Sequence, residues 1–427
     1  MQYDSDFMDN NSSIEAHKKN RGKLGMVGRV PVATTEELAT YYTPGVAYPC
    51  LAIKEDNSKS FDYTMRGRTA AIVTDGTRVL GLGKIGPVAG MPVMEGKALL
   101  LKKFAGVDAM PICIDEHDED RLVGIIKSLE PTLGTINIED IETPKCLNIV
   151  TRLRGEMHIP IFHDDSEGVA TVTLAGLINS MKLSSKKLER CKIVINGTGA
   201  AGVGIARLLI HAGVENIVMV DTAGALYKGR QGNMNPIKDE IAAKTNIRME
   251  KGDLSDVSRG ADILIGASVK GAFTPDMIKS MAERPIVFAL ANPFPEIDYD
   301  EAKMAGAYIV ATGRSDRPNQ VNNLLAFPGV IRGLLESRPT RVDQKMLVDS
   351  AKVIAKFLGR DATTEKIVPN PVDKKAVRGL AAKVAAEVVK VANELGIATA
   401  SKDPKEVEAR TRSDVVAYAK YEKRMLK

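Results

Sequence analysis

The sequence predicts an α/β protein in two parts: an N-terminal α/β domain, then a Rossmann-type doubly wound domain that ends in helices. Three observations carry this. Apolar runs of strand length alternate with helical stretches, the pattern of βαβ units and parallel sheets. One such run leads into a glycine cluster, Asn196-Gly-Thr-Gly-Ala-Ala-Gly-Val-Gly204, that opens a helix. The chain has 427 residues, a length for two domains rather than one. The expected boundaries are 1–165 for the first domain, 166–395 for the second with its C-terminal helices, and 396–427 for a charged tail.

Within residues 1–60, Ser12-Ser-Ile-Glu-Ala-His-Lys-Lys19 and Thr35-Glu-Glu-Leu-Ala39 read as short capped helices. Tyr41-Tyr-Thr-Pro-Gly-Val46 is a turn forced by Pro and Gly, with a buried tyrosine stack as its plain structural reading. Thr69–Thr74 reads as a strand, Asp75-Gly76 as a turn and Arg78–Gly81 as the returning strand. A Gly/Pro loop to Pro92 precedes a helix over Ala98–Phe104, with Lys97 at its start. A cation there opposes the helix dipole, which hints that Lys97 is placed for chemistry.

Strands follow at Asp108–Ile114, Thr135–Ile138 and Ile159–Phe162, with helices at Glu119–Lys127 and Pro144–Arg154 between them. Two of these strands end in acids, Glu139-Asp140 and His163-Asp164-Asp165. One acidic pair at a strand end is ordinarily a solvated loop or a helix cap. Two pairs, at the ends where open α/β sheets gather ligands, favour a divalent-cation site.

An apolar helix over Gly168–Met181 is expected to join the two domains. Then comes the strand Cys191–Ile195, the glycine cluster, a helix over Val203–Ala212 and a second strand, Asn216–Val220, followed by Asp221. Gly197, Gly199 and Gly202 fit G-x-G-x-x-G, with Ala200 and Ala201 between the last two. The first glycine makes the tight turn, the second lets a pyrophosphate approach the backbone, and the third packs helix on strand. Free N–H groups at the helix start hold the phosphate charge. Asp221 stands 19 residues after Gly202 (221 − 202), near the place of a carboxylate that accepts from a ribose hydroxyl. With strand, helix, second strand and acid all in place, the motif reads as a dinucleotide site.

Further strands are expected at Ala261–Ile265, Pro285–Leu290 and Ala307–Val310, the second ending in Ala291-Asn292-Pro293. Asn322 and Asn323 enter an apolar stretch, so a polar ligand or a capped backbone must satisfy their amides. Two helical stripes follow, one through Met346, Ala351 and Ile354, the other through Leu380, Val384 and Val388. Such stripes are core or subunit interface. The last two dozen residues, mostly charged, read as a helical arm or a partly disordered tail.

Composition excludes several functions. The absence of Trp, with only 4% aromatic residues, argues against base stacking as a main activity. The net charge of +5 is mild and scattered, so no nucleic-acid footprint is read, though a basic surface attracts acidic substrates. Cys50, Cys113, Cys146 and Cys191 lie far apart, which disfavours zinc clusters and disulfides and points to reduced thiols in the cytoplasm. Met1–Phe7 is acidic and lacks the apolar core of a signal peptide, and no apolar run is long enough to span a bilayer.

Taken in order, Tyr42-Thr-Pro-Gly45, Thr74-Asp-Gly-Thr-Arg-Val-Leu-Gly-Leu-Gly83, Pro92-Val-Met-Glu-Gly-Lys97, Ile138-Glu-Asp-Ile141, Phe162-His-Asp-Asp165, Gly197–Gly202, Asn292-Pro293 and Asn319–Asn323 form a set. This set resembles the malic enzymes, especially the short-chain form of bacteria and archaea. The resemblance implies oxidative decarboxylation of (S)-malate to pyruvate and CO2, with reduction of NAD(P)+ and a requirement for Mg2+ or Mn2+. It implies Lys97 as the base, its pKa brought towards neutrality, with Asp164 as its partner and Tyr42 as the acid that protonates enolpyruvate. Glu139, Asp140 and Asp165 match metal ligands, and all-oxygen ligands suit Mg2+ or Mn2+. Arg78 matches the residue that pairs with a malate carboxylate. Asn292, Asn322 and Asn323 match substrate and nicotinamide contacts. A homodimer or larger assembly is implied, with Tyr42 able to reach a neighbour's site.

Two positions depart from the family. Ser166-Glu167-Gly168-Val169 stands where short-chain relatives usually carry Gln-His-Gly-Thr, and Lys84 where an acid or amide is usual. Glu167 is expected to add negative charge beside the metal and phosphate region. Asp221 favours NAD+, with Lys228 and Arg230 as a basic pair that would suit NADP+. A malolactic enzyme, which retains its cofactor and releases lactate, is the alternative activity.

Overall fold

The computed structural model describes residues 10–425. The Met1–Phe7 stretch read above lies outside the described residues. The first sheet has four strands: β1 (Thr69–Thr74), β2 (Asp108–Cys113), β3 (Thr135–Ile138) and β4 (Ile161–His163). All pair in parallel in the order β2-β1-β3-β4. Every residue of β1 and β3 is buried, which suits the apolar run Ala70–Val73 in β1, while β3 carries the buried polar residues Thr135 and Asn137 between its isoleucines.

The second sheet contains β5 (Ile193–Asn196), β6 (Ile217–Asp221), β7 (Gly224–Ala225), β8 (Ile263–Gly266), β9 (Ile286–Ala289) and β10 (Ile309–Thr312). Its order is β10-β9-β8-β5-β6-β7, parallel except for the short antiparallel β7. From β5 the chain winds to β6 and β7 on one side, then returns to build β8, β9 and β10 on the other. The topological switch point therefore lies between β5 and β8, where doubly wound sheets open a ligand crevice.

A helix over Val169–Ser184 runs between the sheets and is buried along most of its length. Asn179 anchors it, donating to the carbonyls of Ala355 (3.2 Å) and Ile367 (2.8 Å). Phe327–Ser337, Lys374–Glu394 and Pro404–Met425 are helices that pack against the helix Pro87–Ala105 beside the first sheet. The charged tail is thus a docked helical arm with Val407, Thr411 and Val415 buried. Buried Glu336 accepts from Arg332, Lys402 and Arg410, and Arg332 reaches on to Asp414.

Three local expectations give way. No returning strand forms at Arg78–Gly81, because both edges of β1 are taken by β2 and β3. The Arg78 N–H instead donates to the Asp140 carbonyl (3.0 Å), and Leu80–Leu82 makes a short 3-10 turn. The helix expected from Ala98 begins at Pro87 and contains Pro92. Pro87 is at home in the first turn, where its missing N–H would have no helical partner. Lys97 therefore stands mid-helix, and the dipole argument for it falls. Tyr41 and Tyr42 are 48% and 67% exposed rather than stacked in a core.

Candidate active site

The C-terminal ends of β3 and β4 bring four carboxylates together under one lysine. Lys97, on the helix Pro87–Ala105, is buried with its ammonium bonded to Glu139 Oε1 and Asp164 Oδ2. Its Nζ also lies 5.0 Å from the centre of the Phe327 ring. Asp164 is fully buried; its N–H donates to Asn137 Oδ1 (3.1 Å), and its Oδ2 also accepts from Asn323 Nδ2 (2.5 Å). Asn137 Nδ2 donates in turn to Glu139 Oε2 (2.7 Å), so one buried amide ties the Glu139 carboxylate to the Asp164 backbone. Gly168 is required beside them, since a Cβ there would fall 1.7 Å from Asp164 Oδ1.

Ligand oxygens of Glu139, Asp140 and Asp165 lie within 4.8 Å of one another. Asp165 Oδ2 accepts the Asp140 N–H at 2.8 Å. Asp140 Oδ2 and Asp164 Oδ1 are buried without a partner. Two orphaned carboxylate oxygens, and four carboxylates to one ammonium, fit a hard divalent cation with oxygen ligands. The electrostatics agree. Burial, then the neighbouring charge of Asp165, pushes the Asp140 carboxyl up to about 7. Glu139 and Asp164 are raised above the usual range chiefly by burial, with Lys97 opposing. Burial works against the Lys97 ammonium, but Asp164, Glu139 and Asp165 prevail and hold its pKa above the ordinary lysine value. The fall towards neutrality expected from the sequence rests on a nearby cation as well as on burial, and burial alone does not bring it about against these carboxylates.

Arg78 is exposed at the turn after β1, and its backbone touches Asp140. Asn292 is exposed beyond β9, against Gly313. Asn322 Oδ1 caps the Leu324 N–H at 2.9 Å, which leaves a second lone pair and its Nδ2 for a ligand. Tyr42 stands on the exposed N-terminal segment. Glu167 is buried behind β4, pairs with Arg154 Nη2 (2.7 Å) and accepts the His163 N–H (3.1 Å), and its negative charge, partly offset by Arg154, still reaches Asp164. Lys84 is exposed.

In the second sheet, the turn Gly197–Gly199 leads into the helix Ala200–His211. A Cβ on Gly199 would meet only Thr143 Oγ1, at 4.0 Å, which leaves the backbone open to a phosphate. Thr143, from the loop after β3, also accepts the Ala200 N–H at 3.2 Å. At the end of β6, Asp221 is not free to receive a ribose. Arg230 grips both its oxygens (2.8 and 2.6 Å), and Lys238 (2.7 Å), Asn233 (3.1 Å) and the Ala223 N–H (2.8 Å) complete the shell. Burial would raise this carboxyl, but the bonds from Arg230 and Lys238 lower it to about 2. Sequence reasoning singled out Lys228, which is exposed, and missed Lys238, which is buried. Lys238 lies outside the motif, on a helix capped by Asn235, and nothing in its local pattern marks it.

Residues 21–154 match the family described as malic enzyme, N-terminal domain, and residues 166–393 match malic enzyme, NAD binding domain. A bifunctional malic/malolactic enzyme of Bacillus subtilis is 50% identical over 401 residues, spanning 94% of this chain and 97% of the relative. An NAD-dependent malic enzyme of Geobacillus stearothermophilus is 47% identical over 380 residues, 88% of this chain and 78% of the relative. The crystal structure of malic enzyme from Pyrococcus horikoshii superposes with a TM-score of 0.92 at 42% identity, covering 96% of each chain. With its two matched domains and a relative of 50% identity aligned over 97% of that relative's length, the chain belongs to the malic enzyme family.

Proposed function

We propose that the carboxylate-bound Lys97 is the catalytic centre for oxidative decarboxylation of (S)-malate to pyruvate and CO2. The observation that carries this reading is the Lys97 ammonium held by Asp164 and Glu139 beside the three-carboxylate cluster. Glu139, Asp140 and Asp165 would hold Mg2+ or Mn2+, and the Gly197–Gly202 turn the pyrophosphate of NAD(P)+. When bound, the nicotinamide accepts the hydride from C2 of malate, and the divalent cation polarises the oxygen on that carbon. Lys97 Nζ takes the proton of the C2 hydroxyl. To do so it must first give up its own, which the surrounding carboxylates oppose until they are engaged as ligands. Asp164 and Phe327 fix the direction of Nζ. Arg78 offers an exposed guanidinium to a malate carboxylate. Asn292, Asn322 and Asn323 are the amides that contact substrate and nicotinamide, and Asn323 also ties Asp164 in place.

Tyr42 is assigned the proton transfer to C3 of enolpyruvate in the site of a second copy. The support is its exposure on a segment whose helices, Thr35–Tyr41 and Ala47–Glu55, bury no residue. Leu38, Tyr41, Val46, Tyr48 and Leu51 are exposed there too, an apolar surface suited to a homodimer interface.

The cluster around Asp221 sets two cations against one carboxylate, which supports acceptance of a 2′-phosphate as well as NAD+. The malolactic alternative retains one specific support, the name of the Bacillus subtilis relative. The deciding experiment is initial rate with malate, with NAD+ and NADP+ tested separately, in chelator and with Mn2+ restored. Metal-dependent accumulation of reduced cofactor with equimolar pyruvate is expected. Malate consumption with lactate and no reduced cofactor would establish the malolactic reading instead.

A further inference from the structure

A carboxylate outside all these assignments sits at the switch point of the second sheet. Glu296 follows Asn292-Pro293 in the loop after β9 and is completely buried. Its Oε1 accepts the Ser268 N–H (2.8 Å) and the Ser268 hydroxyl (3.3 Å) beyond β8. Its Oε2 accepts the Ala291 N–H (3.0 Å) beyond β9. Ser268 Oγ accepts from Asn196 Nδ2 (2.8 Å), the last residue of β5 before the glycine turn. The Glu296 carbonyl also accepts the Phe273 N–H (3.1 Å). One side chain thus ties together the carboxyl ends of β5, β8 and β9. The space is built for it: a Cβ on Gly266, at the end of β8, would fall 2.3 Å from Glu296 Cδ.

Every donor reaching this carboxylate is neutral, so it is no ion pair. A buried carboxylate without a cation is a costly way to close a loop. The return here is geometric. Ala291 precedes Asn292, and Asn196 precedes Gly197, so the two segments expected to touch the cofactor are joined through Glu296 and Ser268. We propose that Glu296 is a positioning residue for the dinucleotide, setting the spacing of the β5, β8 and β9 ends on which its nicotinamide half is seated. This rests on the dinucleotide reading of the glycine turn. Glutamine in its place keeps the size but presents an NH2 group to one of two facing N–H donors, so one strand end must move.

The test is titration of the full chain with NADH and NADPH, followed by cofactor fluorescence without turnover, and with Mn2+ by calorimetry. Glu296→Gln is expected to weaken binding of the preferred reduced cofactor by about tenfold, the scale of an outer-shell orienting group. Mn2+ affinity, set on the other sheet, stays within twofold. A merely structural role would lower melting temperature and the number of binding sites without moving the dissociation constant, and that result overturns the proposal. Should Glu296→Gln not fold, Ser268→Ala decides, since it removes the hydroxyl that links Glu296 to Asn196 and keeps the carboxylate and its backbone donors. Severalfold weaker cofactor binding supports the proposal, and unchanged binding overturns it. A wild-type chain that binds neither reduced cofactor would overturn the dinucleotide reading itself.

Discussion

Asp140 carries the most readable pH signature in the site. Burial and the charge of Asp165 raise its carboxyl to about 7, so below neutrality it is protonated and a cation must displace that proton. Mn2+ affinity is therefore expected to rise with pH through about 7 and to level off above it. Calorimetry at pH 6, 7 and 8 in buffers of differing ionisation enthalpy would show the affinity and the proton release together; affinity falling with pH contradicts the ligand set. Asp165→Asn removes a proposed anionic ligand and disturbs the oxygen that accepts the Asp140 N–H. Turnover should fall by roughly 100-fold or more, with partial recovery at high Mn2+. Lys97→Ala should fail at oxidation of malate, whereas Tyr42→Phe should oxidise and decarboxylate but release enolpyruvate slowly. Equal defects with malate and with oxaloacetate would reverse the assignment of base and acid. At this scale the sequence yields residue types at motif positions and, through the resemblance, the pairing of Lys97 with Asp164, but not partners that lie outside the motifs. Glu167 read as a charge near the metal because Arg154, its partner, lies 13 residues away in the chain on another element. Lys97 was marked for chemistry by a dipole argument that its mid-helix position removes, although its ion pairs support the same conclusion.

Strand ends were the most legible elements, because buried parallel strands are short apolar runs and the residue after each run is where ligands collect. β3, with Glu139-Asp140 behind it, is found at its expected bounds. The absent hairpin at Arg78–Gly81 was not legible, since whether β1 has a free edge depends on β2 and β3, both remote in sequence. The end of β6 makes the same point energetically. Asp221 was legible as a fingerprint acid, but its bonds to Arg230 and Lys238 come from the next loop and helix. Lys238→Ala is expected to cut kcat/KM for NADP+ by about tenfold, the loss of one charge-assisted contact, and to leave NAD+ within a few-fold. The ratio of catalytic efficiencies measures this; a wild type confined to NAD+ and indifferent to Lys238→Ala would show that the cluster is structural. A second element-scale expectation concerns the C-terminal arm. Glu336→Ala takes from the buried Arg332 guanidinium one of its two carboxylates, leaving Asp414, and cuts the ties from Lys402 and Arg410. Removing one partner of such a buried network costs about 3–5 kcal/mol, measurable by denaturant unfolding. A loss under about 1 kcal/mol would mean that the arm docks through Val407, Thr411 and Val415 alone.

At the scale of the molecule, one protomer holds the proposed base, Lys97, and the acidic cluster but leaves Tyr42 on a surface that lacks a core of its own. If that surface is the interface of a two-fold dimer, each active site takes Lys97 from one copy and Tyr42 from the other. Mixing two inactive variants separates this arrangement from one in which each copy is complete. Lys97→Ala and Tyr42→Phe chains, unfolded together and refolded at equal amounts, give heterodimers as about half of the population. When Tyr42 acts across the interface, one site of each heterodimer carries both lesions and the other carries none. Activity then returns to about a quarter of wild type, because half of the dimers each hold one intact site of two. When Tyr42 acts within its own copy, each heterodimer site keeps one lesion, and mixing restores nothing. A Tyr48→Asp variant adds the complementary control. A charge in that apolar surface should separate the copies by sedimentation and abolish pyruvate release even though Lys97, Asp164 and the metal ligands are untouched. A monomer that retained full turnover would place the acid elsewhere in the same chain.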